Sequence, residues 1–166
     1  LFRSYQLQYP APGSPQLAEE IVQRLLAVGL DAQPDVRRPF DHGSWVPLSL
    51  LYPEADIPVV QVSIPSHLGP GLQVRVGEAL AGLREQNVLL IGSGSITHNL
   101  GELDWRSTGD DAALWALEFR NWMVERLQRD DLIALLDYRR QAPHAQRNHP
   151  SEEHLLPLFF ARGAGS

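Results

Sequence analysis

The 166-residue chain contains no cysteine and no lysine, so all fourteen of its basic residues are arginine. Without cysteine there is no disulfide, no thiol nucleophile and no thiolate-held zinc or iron–sulfur centre, and any metal must rest on His, Asp or Glu. Without lysine a phosphate-cradling Walker loop is excluded. The formal net charge is −6 and no basic block interrupts it, which argues against a nucleic-acid partner. No apolar run approaches the roughly eighteen residues of a membrane span, and the amino terminus lacks the basic, apolar, small-residue order of a secretory signal. A cytoplasmic protein with no membrane contact is expected. Residue 1 is leucine and the only methionine is Met123, so the sequence is not expected to begin where translation does.

What the chain does have is a globular composition. Its hydrophobic fraction of 43% against 20% charged residues places it among folded rather than disordered chains, and its length suits one domain with a sizeable core. Pro10-Ala11-Pro12-Gly13-Ser14-Pro15 breaks the chain and then starts a helix, with Ser14 as N-cap and Pro15 at the first helical position. Leu17, Ile21 and Leu25 form its apolar stripe and Gly29 ends it. A second helix carries Leu72, Val76, Leu80 and Leu83 on one face. The longest runs from Asp110 to Arg129, where Trp115 and Trp122 belong to the core rather than to a stacking platform. A short helix over Asp130 to Tyr138 follows, and the polar stretch from Arg139 to Asn148 is the expected site of mobility.

Two apolar runs, Ile57 to Ile64 and Val88 to Ile91, read as strands. With the helix between them they make a strand–helix–strand unit of the length of a parallel crossover. The second run empties into Gly92-Ser93-Gly94, small residues suited to tight backbone turning, before His98. A histidine just past the carboxyl end of a strand is where open α/β sheets place their chemistry. The glycines do not complete a dinucleotide fingerprint, because Thr97 stands at the third glycine position. Neither Ser44 nor Ser93 lies in a G-x-S-x-G elbow.

Two other places deliver histidines into similar settings. In Asp41-His42-Gly43-Ser44-Trp45, Asp41 either orients His42 or caps a helical turn. In Ser151-Glu152-Glu153-His154, Ser151 is expected to cap a helix whose first turn holds His154, with Leu155, Leu158 and Phe159 turned to the core. His144 and His149 read as loop residues, His149 with access to the cleft. Histidines 42, 98 and 154, with Asp41 and Glu153 beside them, are the ingredients of a nitrogen- and oxygen-ligand metal site with an acid–base residue. No H-E-x-x-H helix is present to bring two of them together locally.

At these residues the sequence resembles the class III extradiol ring-cleaving dioxygenases, in their DOPA 4,5-dioxygenase-like branch. The words that carry the resemblance are Tyr9 to Pro15, Asp41-His42-Gly43-Ser44-Trp45, Tyr52 to Gln61, Ser93 to Leu100 and Glu153-His154-Leu155-Leu156-Pro157-Leu158. They are collinear and cover nearly the whole chain. The resemblance implies a three-layer α/β/α fold with a central mixed, largely parallel sheet, truncated at the amino terminus. It also implies a mononuclear non-haem metal centre, Fe(II) with Zn(II) as an alternative occupant, that takes a catechol and dioxygen. By the same resemblance His154 matches a metal ligand, His98 either a further ligand or the base for the second catechol hydroxyl, and His42 a substrate-side acid–base residue.

One departure accompanies it. The family's first third carries two further histidine ligands, in a His-Gly-Ser-Pro loop and an Ala-His-Trp strand end, and neither occurs here. Residues 1–166 are therefore expected to be a single catalytic-domain fragment lacking that N-terminal third. Such a fragment would bind iron or zinc poorly and be inactive until the missing segment completes its site. Two readings compete with the dioxygenase: a zinc-dependent hydrolase using similar ligands, and a non-catalytic α/β module whose histidines only satisfy loops.

Overall fold

Serine and proline begin the first helix as their chemistry requires: the Ser14 hydroxyl accepts from Leu17 N at 3.3 Å and Pro15 takes the first helical position. A computed structural model describes residues 9–103 and 112–166. Helix α1 spans Pro15–Ala27, and Gly29, at φ +74°, lets the chain turn away in a conformation costly for other residues. Helix α2 (His42–Leu51) is capped by Asp41, whose carboxylate accepts from Ser44 N at 3.1 Å, so the cap function prevails over orientation of His42. Helix α3 (Gly69–Leu80) continues into a 3₁₀ segment, Ala81–Gln86, that ends at Asn87 with φ +60°. Helix α4 covers Leu114–Gln128, so the expected start at Asp110 lies outside the described residues. Short helices α5 (Leu132–Leu136), α6 (Tyr138–Gln141) and α7 (Ala145–Asn148) lead to α8 (Leu156–Ala164).

The core has two parts. Phe119 and Met123 of α4, Leu135, Tyr138 and the α8 pair Leu156 and Phe159 make one; Ile21 and Leu25 of α1 with Val76, Leu80 and Leu83 make the other. Helices α3 and α8 join them through a crossing so close that only glycine fits. A Cβ on Gly77 would stand 2.2 Å from the Phe160 carbonyl oxygen, and one on Gly163 would stand 2.1 Å from that of Val74.

The expected three-layer α/β/α arrangement with a central, largely parallel sheet does not form: among the described residues there is no strand and no sheet. The strand–helix–strand crossover goes with it. Apolar, β-branched composition makes a segment suitable for a ladder, but a ladder also needs a neighbour at hydrogen-bonding distance. The two runs have none in each other. Val59 N donates to Pro12 O at 2.8 Å and Val88 N to Leu83 O at 3.3 Å. Val60, Val62, Val88 and Leu90 of the two runs pack on the α1–α3 cluster. In 88–91 the burial alternates, with Leu89 and Ile91 63% and 40% exposed, and what the inward side chains pack against is helix; in 57–64 the four residues 59–62 are half-buried together without alternation.

Two smaller expectations also change. The stretch 139–148, expected to be mobile, is packed: it forms α6 and α7, and Ala142, Ala145 and Asn148 are buried. Ser151 does not cap a helix holding His154. Its hydroxyl donates to Glu153 at 2.7 Å, and α8 begins two residues after His154. Among the described residues no helix is long and apolar enough to cross a membrane.

Candidate functional site

Gly92 and Gly94 explain how His98 and His154 meet. Neither adopts a left-handed backbone, so the expected tight turn is not their purpose. A Cβ on Gly92 would come 2.3 Å from the Pro157 carbonyl oxygen, and one on Gly94 would come 2.3 Å from that of His154. The missing side chains let residues 92–95 lie directly on the start of α8, where Ser95 N donates to His154 O at 2.7 Å. Leu155, Leu156 and Phe159, each almost wholly buried, hold that end of α8 in place, as their pattern predicts for Leu155 and Phe159; Leu158 is half-buried.

The result is a cluster of three imidazoles. The rings of His98 and His154 stack with centroids 3.4 Å apart and planes 9° from parallel, and the ring of His42 lies 6.0 Å from that of His154. His42 is carried there by the Asp41 cap, itself tied across the chain where Asp41 N and Ser44 Oγ donate to Gln61 Oε1 at 3.0 and 2.7 Å. The fold thus brings together three histidines from positions that span more than a hundred residues of sequence. His144 stands apart, 2.8 Å from Glu118 on the surface.

Electrostatics favour the neutral ring at His98. Partial burial lowers its pKa first, the neighbouring His154 and His42 add to the effect, and Glu153 opposes it. Glu153 keeps its charge readily, because the Ser151 hydroxyl and its own backbone N–H hold its carboxyl below the usual range. His149 lies in a loop, as its sequence context predicts, but is fully buried, and its Nε2 lies 2.6 Å from Ile96 O. Burial pushes its pKa down as well.

These shifts set the sign of a pH dependence. A histidine whose pKa is lower in the folded than in the unfolded chain binds more protons when unfolded, so its contribution is complete above the unfolded value and is lost as pH falls toward the folded one. For His98 and His149 that loss begins as pH drops below the ordinary histidine value of 6.5. Urea midpoints are expected to fall between about pH 7.5 and 5.5, with a shallower fall in His149→Gln. Midpoints that rise on acidification would contradict the assignment of neutral rings.

The cluster fits a metal only in part. His154 Nδ1 is enclosed without a hydrogen bond, with Glu153 Oε1 3.4 Å away and outside bonding geometry. Such an orphaned nitrogen suits a ligand. The stacked His98 ring holds its nitrogens in a separate plane, nearly parallel to that of His154. Among the described residues no group of three or more His, Asp or Glu side chains surrounds a common point.

This chain resembles known proteins in both sequence and fold. It belongs to the family described as the catalytic LigB subunit of aromatic ring-opening dioxygenase, which it matches over residues 2–166. Within that family it is 43% identical over 163 residues to 4,5-DOPA dioxygenase extradiol of Beta vulgaris, a match covering 98% of this chain and 60% of that protein. It is 35% identical over 167 residues to the Escherichia coli K12 protein of the same name, covering 96% of this chain and 59% of the relative. The crystal structure of uncharacterized protein JW3007 from Escherichia coli K12 superposes with a TM-score of 0.81 at 35% identity, over 96% of this chain and 66% of that one. The chain thus spans about three fifths of the length of the curated relatives it matches.

Proposed function

We propose that this chain contributes the acid–base half of an extradiol dioxygenase that opens the ring of a catechol such as DOPA. The observation that carries the reading is the stacked His98–His154 pair with His42 beside it, in a chain 43% identical to a 4,5-DOPA dioxygenase extradiol. His98 is the base. Burial and its histidine neighbours keep its imidazole neutral, so it can take the proton of the second catechol hydroxyl near neutral pH. His42, exposed and 6.0 Å from the His154 ring, serves as a substrate-side acid–base group.

His154, whose Nδ1 is enclosed without a hydrogen bond, is the member of the three-histidine cluster suited to ligate a metal. A divalent metal, Fe(II) with Zn(II) as a competing occupant, supplies the Lewis acidity and open positions for diol and dioxygen in this chemistry. The donors of this chain do not make such a centre alone. We infer that the remaining ligands come from polypeptide beyond these 166 residues, corresponding to length the relatives have and this chain does not match.

Two measurements test this. Oxygen uptake with a catechol, accompanied by a yellow ring-opened product, is expected when the chain is joined to the missing segment and not from residues 1–166 alone. Titration of residues 1–166 with Fe(II) or Zn(II) is expected to show only weak binding. Tight, stoichiometric uptake by the chain alone would refute the half-site reading, and a joined protein that consumes no oxygen with any catechol would refute the dioxygenase.

A further inference from the structure

We propose that His149 is the positioning residue that sets where His98 stands; the inference deepens the acid–base role given to His98 above and rests on it. The segment 95–98 belongs to no helix or ladder, so something else must fix its backbone. Besides the Ser95 N–H bond to His154 O, that is done by three consecutive residues, Arg147 and Asn148 at the end of α7 and His149 just after it. Arg147 O accepts from the Asn99 side-chain amide at 2.6 Å, Asn148 O accepts from His98 N at 3.0 Å, and the His149 ring reaches Ile96 O at 2.6 Å. The three bonds interleave along residues 96–99 and hold the backbone on both sides of His98.

The His149 bond is the costly one to build, which is why it is informative. A carbonyl oxygen can only accept, so Nε2 carries the proton. Nδ1 is enclosed with no partner, and the whole residue is 0% exposed, packed 5.7 Å from the Phe119 ring. Burying an imidazole with one nitrogen unpaired is unfavourable in surroundings where leucine would pack at less cost. The compensating feature at this position is the hydrogen bond to the carbonyl two residues before His98. Asn148 beneath it is also 0% exposed and is anchored by its own side-chain amide, which donates to His144 O at 3.0 Å. The clamp is therefore seated on packed structure rather than on surface loop.

The test compares His149→Gln, whose amide N–H reaches the place of Nε2, with His149→Asn and His149→Leu, which leave the Ile96 carbonyl without its donor. Amide hydrogen exchange is read by NMR at His98 and, for comparison, at Leu25 in α1. In the variants lacking the donor, exchange at His98 is expected to rise about tenfold with Leu25 unchanged, and in His149→Gln to stay within about twofold of the parent. The ring-current displacement that His154 imposes on the His98 ring protons is expected to shrink in parallel. Unchanged exchange and ring shifts without the donor overturn the proposal, as does an equal rise at Leu25 or identical behaviour of all three variants. If neither donor-less variant folds while His149→Gln does, the residue holds the fold rather than the loop, and the proposal falls. These readouts are independent of ring cleavage, so an inactive enzyme would count against the function proposed above and not against this clamp.

Discussion

Gly163→Ala is expected to lower the unfolding free energy by about 3 kcal/mol, at the upper end of what overpacking a core costs. The new methyl would stand 2.1 Å from the Val74 carbonyl oxygen and 2.8 Å from its carbon, and both belong to backbone that cannot rotate aside. Relief would require α8 to move off α3, and with it the Gly77 contact to Phe160 and the buried side chain of Phe159. Domains of this size have only about 5–15 kcal/mol of net stability, so a substantial part of the margin would go. Urea denaturation followed by circular dichroism measures it, with Gly13→Ala as the control because nothing lies within 4 Å of a Cβ there. A Gly163→Ala midpoint equal to that of the control would mean that the two helices separate without cost, and the crossing described here would be wrong.

His98→Gln in the assembled enzyme is expected to reduce kcat about 100- to 10,000-fold, the range associated with removing a general base, with a much smaller change in KM. Glutamine fills similar space and can still donate and accept hydrogen bonds, but it cannot take a proton near neutral pH. Metal content separates the two roles that the resemblance left open. A base can be removed with the metal retained, whereas loss of a ligand lowers occupancy along with rate. The stacked geometry favours retention, since the His98 nitrogens lie in a plane nearly parallel to that of the His154 ring. A variant with near-parental kcat would remove His98 from the chemistry altogether.

The contrast between these two residues shows what could be read in advance. Ser14 and Pro15, Asp41 and Gly29 act within a few residues of themselves, through a hydroxyl, a fixed φ, a carboxylate and a permissive backbone, and each does locally what its chemistry predicts. Apolar residues at helical spacing likewise found the core, as with Ile21 and Leu25 or Leu80 and Leu83. The sheet failed for the complementary reason. Residues 57–64 and 88–91 have strand composition, but pairing depends on a second segment, and composition does not specify where that segment will be. The same limit applies to Gly92 and Gly94, whose spacing looks like a turn and whose contacts show a close approach to α8.

Local chemistry, then, was determined by the amino-acid sequence alone: helix starts and stops, apolar faces, the exclusion of thiol and lysine chemistry, and, through the order of its motifs, the family. The tertiary structure decided which imidazoles share a cluster, that His98 and His154 stack, and that the loop residue His149 is a buried donor. Those facts are distances between residues far apart in sequence, set by packing of α8 against α3 and the 92–98 segment. No periodicity of 2 or 3.6 residues encodes them, because such a periodicity describes a chain's relation to its own axis and not to its neighbours.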